Sequence, residues 1–89
     1  MFWVYAIASL KQNYIYVGLT SNLNKRFEQH NNGYEKTTKP YAPFKLIFSI
    51  VCDDRSKARI KEKYYKSGIG KEFLRNIRNS DPDFEFLNK

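Results

Sequence analysis

Five side chains of this 89-residue chain could together hydrolyse a phosphodiester: Tyr5, Tyr16, Arg26, His30 and Glu62. Arg26 and His30 stand four residues apart in a stretch free of Gly and Pro. On a helix turning about 100° per residue, with Leu23 as origin, Phe27 falls about 40° away. Arg26 lies about 60° to the other side, and His30 about 20° from Leu23. Arg26 and His30 therefore flank an apolar stripe and turn toward the body of the protein. Glu62 clusters in the same way with Ala58 and Tyr65. Charges turned inward are costly unless they meet partners, a ligand or a solvated cleft. An arginine fork suits phosphate oxygens. A single carboxylate can anchor Mg²⁺, which keeps several waters and takes substrate phosphate as a further ligand. Water polarised by the ion or by a base is then the nucleophile.

Elements that would position these groups follow from periodicity. Phe2 to Ala8 is β-branched and aromatic and reads as a strand, with Ser9 to Asn13 as a turn and Tyr14 to Gly18 as the returning strand. Trp3, Tyr5 and Ile7 then share one face. Thr20-Ser21-Asn22 offers caps for a helix over Leu23 to His30, ended by Asn31-Asn32-Gly33. Gly33 to Pro43 is a basic loop, and Phe44 to Val51 a third strand. Asp53 or Asp54 caps a second helix running to about Lys66 and closed by Gly68. Lys71 to Arg78 forms a third, with Phe73, Leu74 and Ile77 as its apolar stripe. The tail Phe84-Glu85-Phe86-Leu87 is apolar enough to pack back. The expected fold is α+β: a small three-stranded antiparallel central sheet flanked by helices, in the order β-β-α-β-α-α, as one domain over residues 1–89.

Composition narrows the class. Sixteen Lys and Arg against nine Asp and Glu give a net charge of +7, which points to a polyanionic partner. The chain is too short for a Rossmann or barrel enzyme. One cysteine, Cys52, excludes an internal disulfide and a multi-thiolate zinc cage, and one histidine excludes a multi-His metal site. The longest apolar run, Phe2 to Ala8, is far short of the roughly 20 residues that span a bilayer. A cytoplasmic protein with no membrane partner is expected.

Trp3-Val4-Tyr5, Tyr16-Val17-Gly18 and Asn22-Leu23-Asn24-Lys25-Arg26-Phe27-Glu28-Gln29-His30-Asn31-Asn32-Gly33 resemble the motifs of the GIY-YIG nuclease superfamily, particularly its small stand-alone bacterial branch. Thr37-Thr38-Lys39, Pro43 to Ile47 and Ala58 to Gly68 agree in order, so the resemblance covers about Phe2 to Leu74. It departs at the first motif glycine, which is Trp3, and at Val4 and Val17, where the family has Ile. The resemblance implies that Tyr5 and Tyr16 line the active site and help orient or deprotonate the attacking water. It implies that Arg26 holds the scissile phosphate, that His30 is an auxiliary proton-transfer group, and that Glu62 is the sole carboxylate ligand of Mg²⁺ or Mn²⁺. Gly18 would let backbone approach the site. A further family asparagine near the domain's end has Asn76 and Asn79 as candidates. The activity implied is one-metal endonucleolytic hydrolysis of DNA, in repair or recombination, with a larger repair complex as a setting and no small-molecule cofactor.

Under that reading the basic run Lys57, Arg59, Lys61, Lys63, Lys66, Lys71, Arg75 and Arg78 becomes a track for the DNA backbone, with Arg59, Lys63, Lys66 and Lys71 from it and Lys39 from the loop as contacts. The rival reading is a non-catalytic nucleic-acid-binding module. It would be either a degenerate nuclease fold or an RRM-like RNA binder, for which Ile15 to Leu19 resembles the first RNP element while the second is absent.

Overall fold

A computed structural model describes residues 1–87. It contains strand β1 (Phe2–Ser9), strand β2 (Ile15–Thr20), helix α1 (Leu23–Asn31), strand β3 (Phe44–Cys52), helix α2 (Arg55–Lys66) and helix α3 (Gly68–Ser80), with a short 3₁₀ turn over Lys39–Tyr41. The order β-β-α-β-α-α is the one expected. The strands form one antiparallel sheet in the order β2-β1-β3, so the N-terminal strand lies at its centre.

Side chains alternate along β1 and divide the molecule into two layers. Val4, Ala6 and Ala8 face α2 and α3, packing with Ile15 and Val17 of β2, Ala58 of α2 and Leu74 of α3. Tyr5 and Ile7 face the other way, toward Tyr16, Leu23 and Phe27. A bulge on β3 keeps both layers filled. Ala6 pairs with Phe48 while Ile7 pairs with Leu46, so Ile47 is the extra residue. Phe44 and Leu46 consequently join the Tyr5 layer, and Phe48 and Ile50 the Val4 layer.

Local chemistry sets the element ends. Asn22 caps α1 by accepting from the Lys25 amide at 3.2 Å, and Asp54 caps α2 by accepting from the Lys57 amide at 2.9 Å. Gly33, at φ 75°, is the residue in left-handed conformation where the chain leaves α1. The joint between α2 and α3 differs from expectation. Gly68 does not close α2; it starts α3, because Ser67 caps both helices at once. The Ser67 hydroxyl donates to the Tyr64 carbonyl and accepts from the Gly70 amide. The helices then meet so closely that a methyl on Gly70 would lie 2.2 Å from the Tyr64 oxygen.

The tail does return. The Leu87 amide donates to the Leu10 carbonyl at 2.8 Å, and Phe84 and Phe86 flank the Arg78 guanidinium at 5.9 and 5.8 Å. Arg78 is therefore 5% exposed rather than part of a basic surface, and its Nη1 donates to Asn13 Oδ1 at 2.8 Å.

Candidate active site

Tyr5 sits on the central strand directly opposite Gly18 of β2. Its ring crosses over that glycine: a Cβ at residue 18 would lie 2.4 Å from Tyr5 Oη and 2.9 Å from the Tyr16 ring. Gly18 is thus the slot that lets the phenol lie flat across the strand. Tyr16, two residues before it on the same face, stands with its ring centroid 6.3 Å from that of Tyr5.

His30 arrives from the last turn of α1 and is fully buried. Its Nε2 lies 2.8 Å from Tyr5 Oη, and its Nδ1 lies 2.8 Å from Thr38 Oγ1. The loop after α1 delivers Thr38 by folding on itself: the Tyr34 amide donates to Gln29, and the Thr38 and Lys39 amides donate to the Glu35 carbonyl. Asn31 Oδ1 accepts from the Phe44 amide at 2.7 Å and ties the end of α1 to the start of β3. The result is a buried chain of three polar side chains from three segments, each paired.

Arg26, one turn before His30, is part-buried. Its Nη1 donates to Glu35 Oε1 at 2.7 Å and to Gln29 Oε1 at 3.1 Å. The electrostatics of the group follow from burial. Loss of water pushes the Tyr5 phenol up to about 12, helped by the neighbouring Tyr16 and opposed by the Arg26 guanidinium. Burial, reinforced by Arg26, pushes His30 down to about 4, so the imidazole is neutral at pH 7. The Arg26 guanidinium holds the Glu35 carboxyl below its ordinary value.

Glu62 belongs to the other layer. It lies on α2, whose Ala58 packs on the Val4 side of the sheet, and its side chain is 12% exposed. Its carboxylate meets Lys66 Nζ at 3.2 Å and Arg59 Nη1 at 3.8 Å. Tyr5, Tyr16, Arg26 and His30 are therefore brought together, while no hydrogen bond or ion pair joins Glu62 to them among the described residues. Both helices turn charge toward the sheet, as their periodicity requires, but from opposite faces. Among the described residues no three His, Cys, Asp or Glu side chains converge. A single carboxylate suits a hard divalent ion that keeps most of its waters and adds phosphate oxygens, provided that Lys66 and Arg59, which now pair with Glu62, turn away from it. It does not fit a protein-caged ion.

Of the five expected DNA contacts, Lys39, Arg59, Lys63 and Lys66 are exposed. Lys71 is turned inward: its ammonium donates to the Ile15 carbonyl at the sheet edge, and burial lowers its pKa, with Arg75 and Lys66 adding to the effect. Asn76 and Asn79 are exposed on α3, and Asn79 Oδ1 accepts from Arg78 Nε at 3.1 Å. Sequence reasoning passed over Glu35, Gln29 and the role of Thr38. Thr38 left one sign, a hydroxyl residue in a motif segment shared with the family; Glu35, nine residues beyond Arg26 across an irregular loop, left none.

The sequence profile of the GIY-YIG catalytic domain matches residues 1–76. The chain is 39% identical over 57 residues to a UPF0213 protein of Photorhabdus laumondii, covering 63% of this chain and 55% of that protein. It is 37% identical over 67 residues to a UPF0213 protein of Clostridium perfringens, covering 74% and 71% of the two chains. Against the UPF0213 protein YazA of Bacillus subtilis it is 33% identical over 78 residues, covering 83% and 79%. The first of these matches thus spans little more than half of the relative's length. No solved structure matches the chain. A tyrosine pair over a strand glycine, an Arg-His helix beside it and a match over 76 of 89 residues lead to one assignment: this chain belongs to the GIY-YIG family, a nuclease superfamily.

Proposed function

We propose that residues 1–89 form a single-domain, divalent-metal-dependent endonuclease that hydrolyses DNA phosphodiester bonds. The observation that carries the reading is the buried Tyr5–His30–Thr38 chain with Arg26 beside it. A structural core has little use for three linked polar groups and a guanidinium at one face of a sheet.

Arg26 binds the scissile phosphate through its donor fork, exchanging the Glu35 carboxylate for phosphate oxygens. Tyr5 and Tyr16 orient the attacking water; Tyr5, held in place by His30, takes up the water's proton only as the phenolate, after its own proton has passed to solvent. The neutral imidazole supports the phenol without placing a second cation beside Arg26. Glu62 is the residue that would hold Mg²⁺ or Mn²⁺. Such an ion supplies Lewis-acid charge to phosphate oxygens and acidifies water. Lys39, Arg59, Lys63 and Lys66 lie exposed for backbone contact, and Lys71 contributes where the track passes the sheet edge. The setting in which such cutting serves a cell is DNA repair or recombination in the cytoplasm, within a larger repair complex.

Cleavage of labelled linear, nicked, flapped and four-way DNAs with Mg²⁺ or Mn²⁺ at low salt tests this. Wild type should cut, and Glu62→Ala and Arg26→Ala should not. DNA binding without cutting by wild type, unchanged in Glu62→Ala, would leave a non-catalytic binding module on a nuclease fold.

A further inference from the structure

We infer that the outer edge of strand β3 is an interface: it pairs antiparallel with the same strand of a second copy of the chain, with Ser49 on the two-fold axis. Dimerisation does not depend on the nuclease reading; its consequence for cutting does.

The sheet has two edges, β2 and β3, and they are built differently. β2 is six residues long and carries Gly18, and the Lys71 ammonium donates to its Ile15 carbonyl. β3 is nine residues long. The Phe44 amide donates to Asn31, but from Lys45 to Cys52 the backbone bonds to no element other than β1 among the described residues. Leu46 to Cys52 contains no charge, proline or glycine. Free N–H and C=O groups on such an edge template pairing with another chain, and exposed edges are ordinarily blunted by charge, proline or shortness. Here the bulge at Ile47 guards one end only.

The strand is complementary to itself. In Lys45-Leu46-Ile47-Phe48-Ser49-Ile50-Val51-Cys52-Asp53, three apolar residues stand on either side of a serine, with a cation at one end and an anion at the other. Turned about Ser49, Phe48 of each copy lies opposite Ile50 of the other, on the face of the sheet that carries Val4. Aromatic and β-branched pairs of this kind stabilise antiparallel neighbours. The bulge draws Lys45 beside, rather than squarely opposite, Asp53 of the other copy, so unlike charges meet at both ends. The surroundings are open to a partner. Phe48 and Ile50 are only partly buried, and Val51 is 45% exposed. Ile60 of α2, 69% exposed, lines a hollow of about 320 Å³ with Ile50, Val51 and Cys52, flanked by Lys57 and Lys61.

The axis of such a pair is perpendicular to the sheet, so the Tyr5 layers of both copies face the same side of six continuous strands. Tyr5 pairs with Ser49, which places the two β1 strands three spacings apart, roughly 14 Å. One bound duplex then meets two sites on one face, and paired cuts follow.

Sedimentation equilibrium of the full chain tests this at concentrations up to about 1 mM, with a reductant to keep Cys52 from crosslinking. The apparent mass should rise with concentration to twice that of the chain. Ser49→Lys sets two ammonium groups face to face on the axis and should leave a folded monomer. Asp53→Lys, at a side chain 89% exposed, should weaken association on the order of tenfold. A wild type that stays monomeric, or a dimer that Ser49→Lys leaves as tight, overturns the interface. Should Ser49→Lys fail to fold, Asp53→Lys decides by the same measure. On supercoiled plasmid the dimer should linearise DNA directly; nicked circles alone would overturn the pairing of sites. A dimer that cuts no DNA refutes the nuclease reading alone, and a monomer that cuts refutes the interface alone.

Discussion

Replacing Gly18 by alanine places a methyl 2.4 Å from Tyr5 Oη, 2.6 Å from Tyr5 Cζ and 2.9 Å from Tyr16 Cε2. Carbon contacts settle at about 3.5–4.0 Å, so the phenol must retreat by about 1 Å. It has nowhere to go: Tyr5 is 1% exposed and its hydroxyl is bound to a buried histidine. Overpacking of this kind costs about 1–3 kcal/mol, and a lost Tyr5–His30 hydrogen bond adds about 1 kcal/mol. For a domain of this size each kcal/mol lowers Tm by about 4–8 °C, so a fall of about 10–30 °C is expected by calorimetry. A 1 Å displacement of a reacting group also costs about 10²-fold in rate, so cleavage below the new Tm should drop by that order. Two other glycines separate the effects. Gly68→Ala meets nothing within 4 Å and should stay within about 0.5 kcal/mol of wild type. Gly70→Ala meets the Tyr64 carbonyl at 2.2 Å and should destabilise the protein while sparing cleavage by the folded fraction. A Gly18→Ala protein as stable and as active as Gly68→Ala would refute the placement of Tyr5 over the strand.

Three further outcomes follow from the same geometry. His30 titrates near 4 in the fold against 6.5 unfolded, so as pH falls from 6.5 to 4 the unfolded chain takes up a proton that the native one refuses. His30 should take about 3 kcal/mol of stability across that window, and Glu35 and Asp81, both held below their ordinary 4.5 and 3.8, add their own losses from those values downward; urea unfolding of wild type and His30→Gln checks this, and equal slopes between pH 6.5 and 4.5 would contradict it. Glu35→Gln frees Arg26 from a part-exposed ion pair worth about 0–1 kcal/mol and should tighten DNA binding up to about fivefold at fixed low salt. Anisotropy titration showing weaker binding would mean that Glu35 does not compete with phosphate. Arg78→Ala loses hydrogen bonds to Asn13 and Asn79 and two aromatic neighbours, and should cost about 2–3 kcal/mol; a loss under about 0.5 kcal/mol would show that the tail contributes nothing to stability.

Much of this molecule is legible in its sequence, and the parts that are not share a cause. The element order, the capped start of α1 and the inward turn of Arg26 and His30 follow from period and local chemistry, which neighbouring residues carry. Strand β2 runs on to Thr20 because Leu19 and Thr20 pair with Val4 and Trp3, a matter of partner length rather than propensity. Helix α3 starts three residues earlier than its apolar stripe suggests, since one serine caps two helices. Arg78 belongs to the basic run of the last helix in sequence, yet the tail folds over it, and Glu35 acquires its partner only where the loop returns to α1. Each of these depends on segments far apart in the chain. So does the placement of Glu62, whose helix packs on the layer opposite to Arg26; helical phase shows that a side chain turns inward and says nothing of which side of a sheet receives it.

Strand β1 works as a partition wall with a different tenant on each side. Its even residues, Val4, Ala6 and Ala8, hold the helical pair α2–α3, while Tyr5 and Ile7 belong to the Tyr16–His30 side. Inserting or deleting one residue in this wall would exchange the two sides wholesale, turning the tyrosine into the aliphatic layer and an aliphatic residue over Gly18. The spacing between Trp3 and Ala8 is therefore the dimension of the protein least open to change in length. The loop after α1 belongs to no strand and has no such parity to keep; its length is set only by the points at which Glu35, Thr38 and Tyr41 must meet α1 and β1.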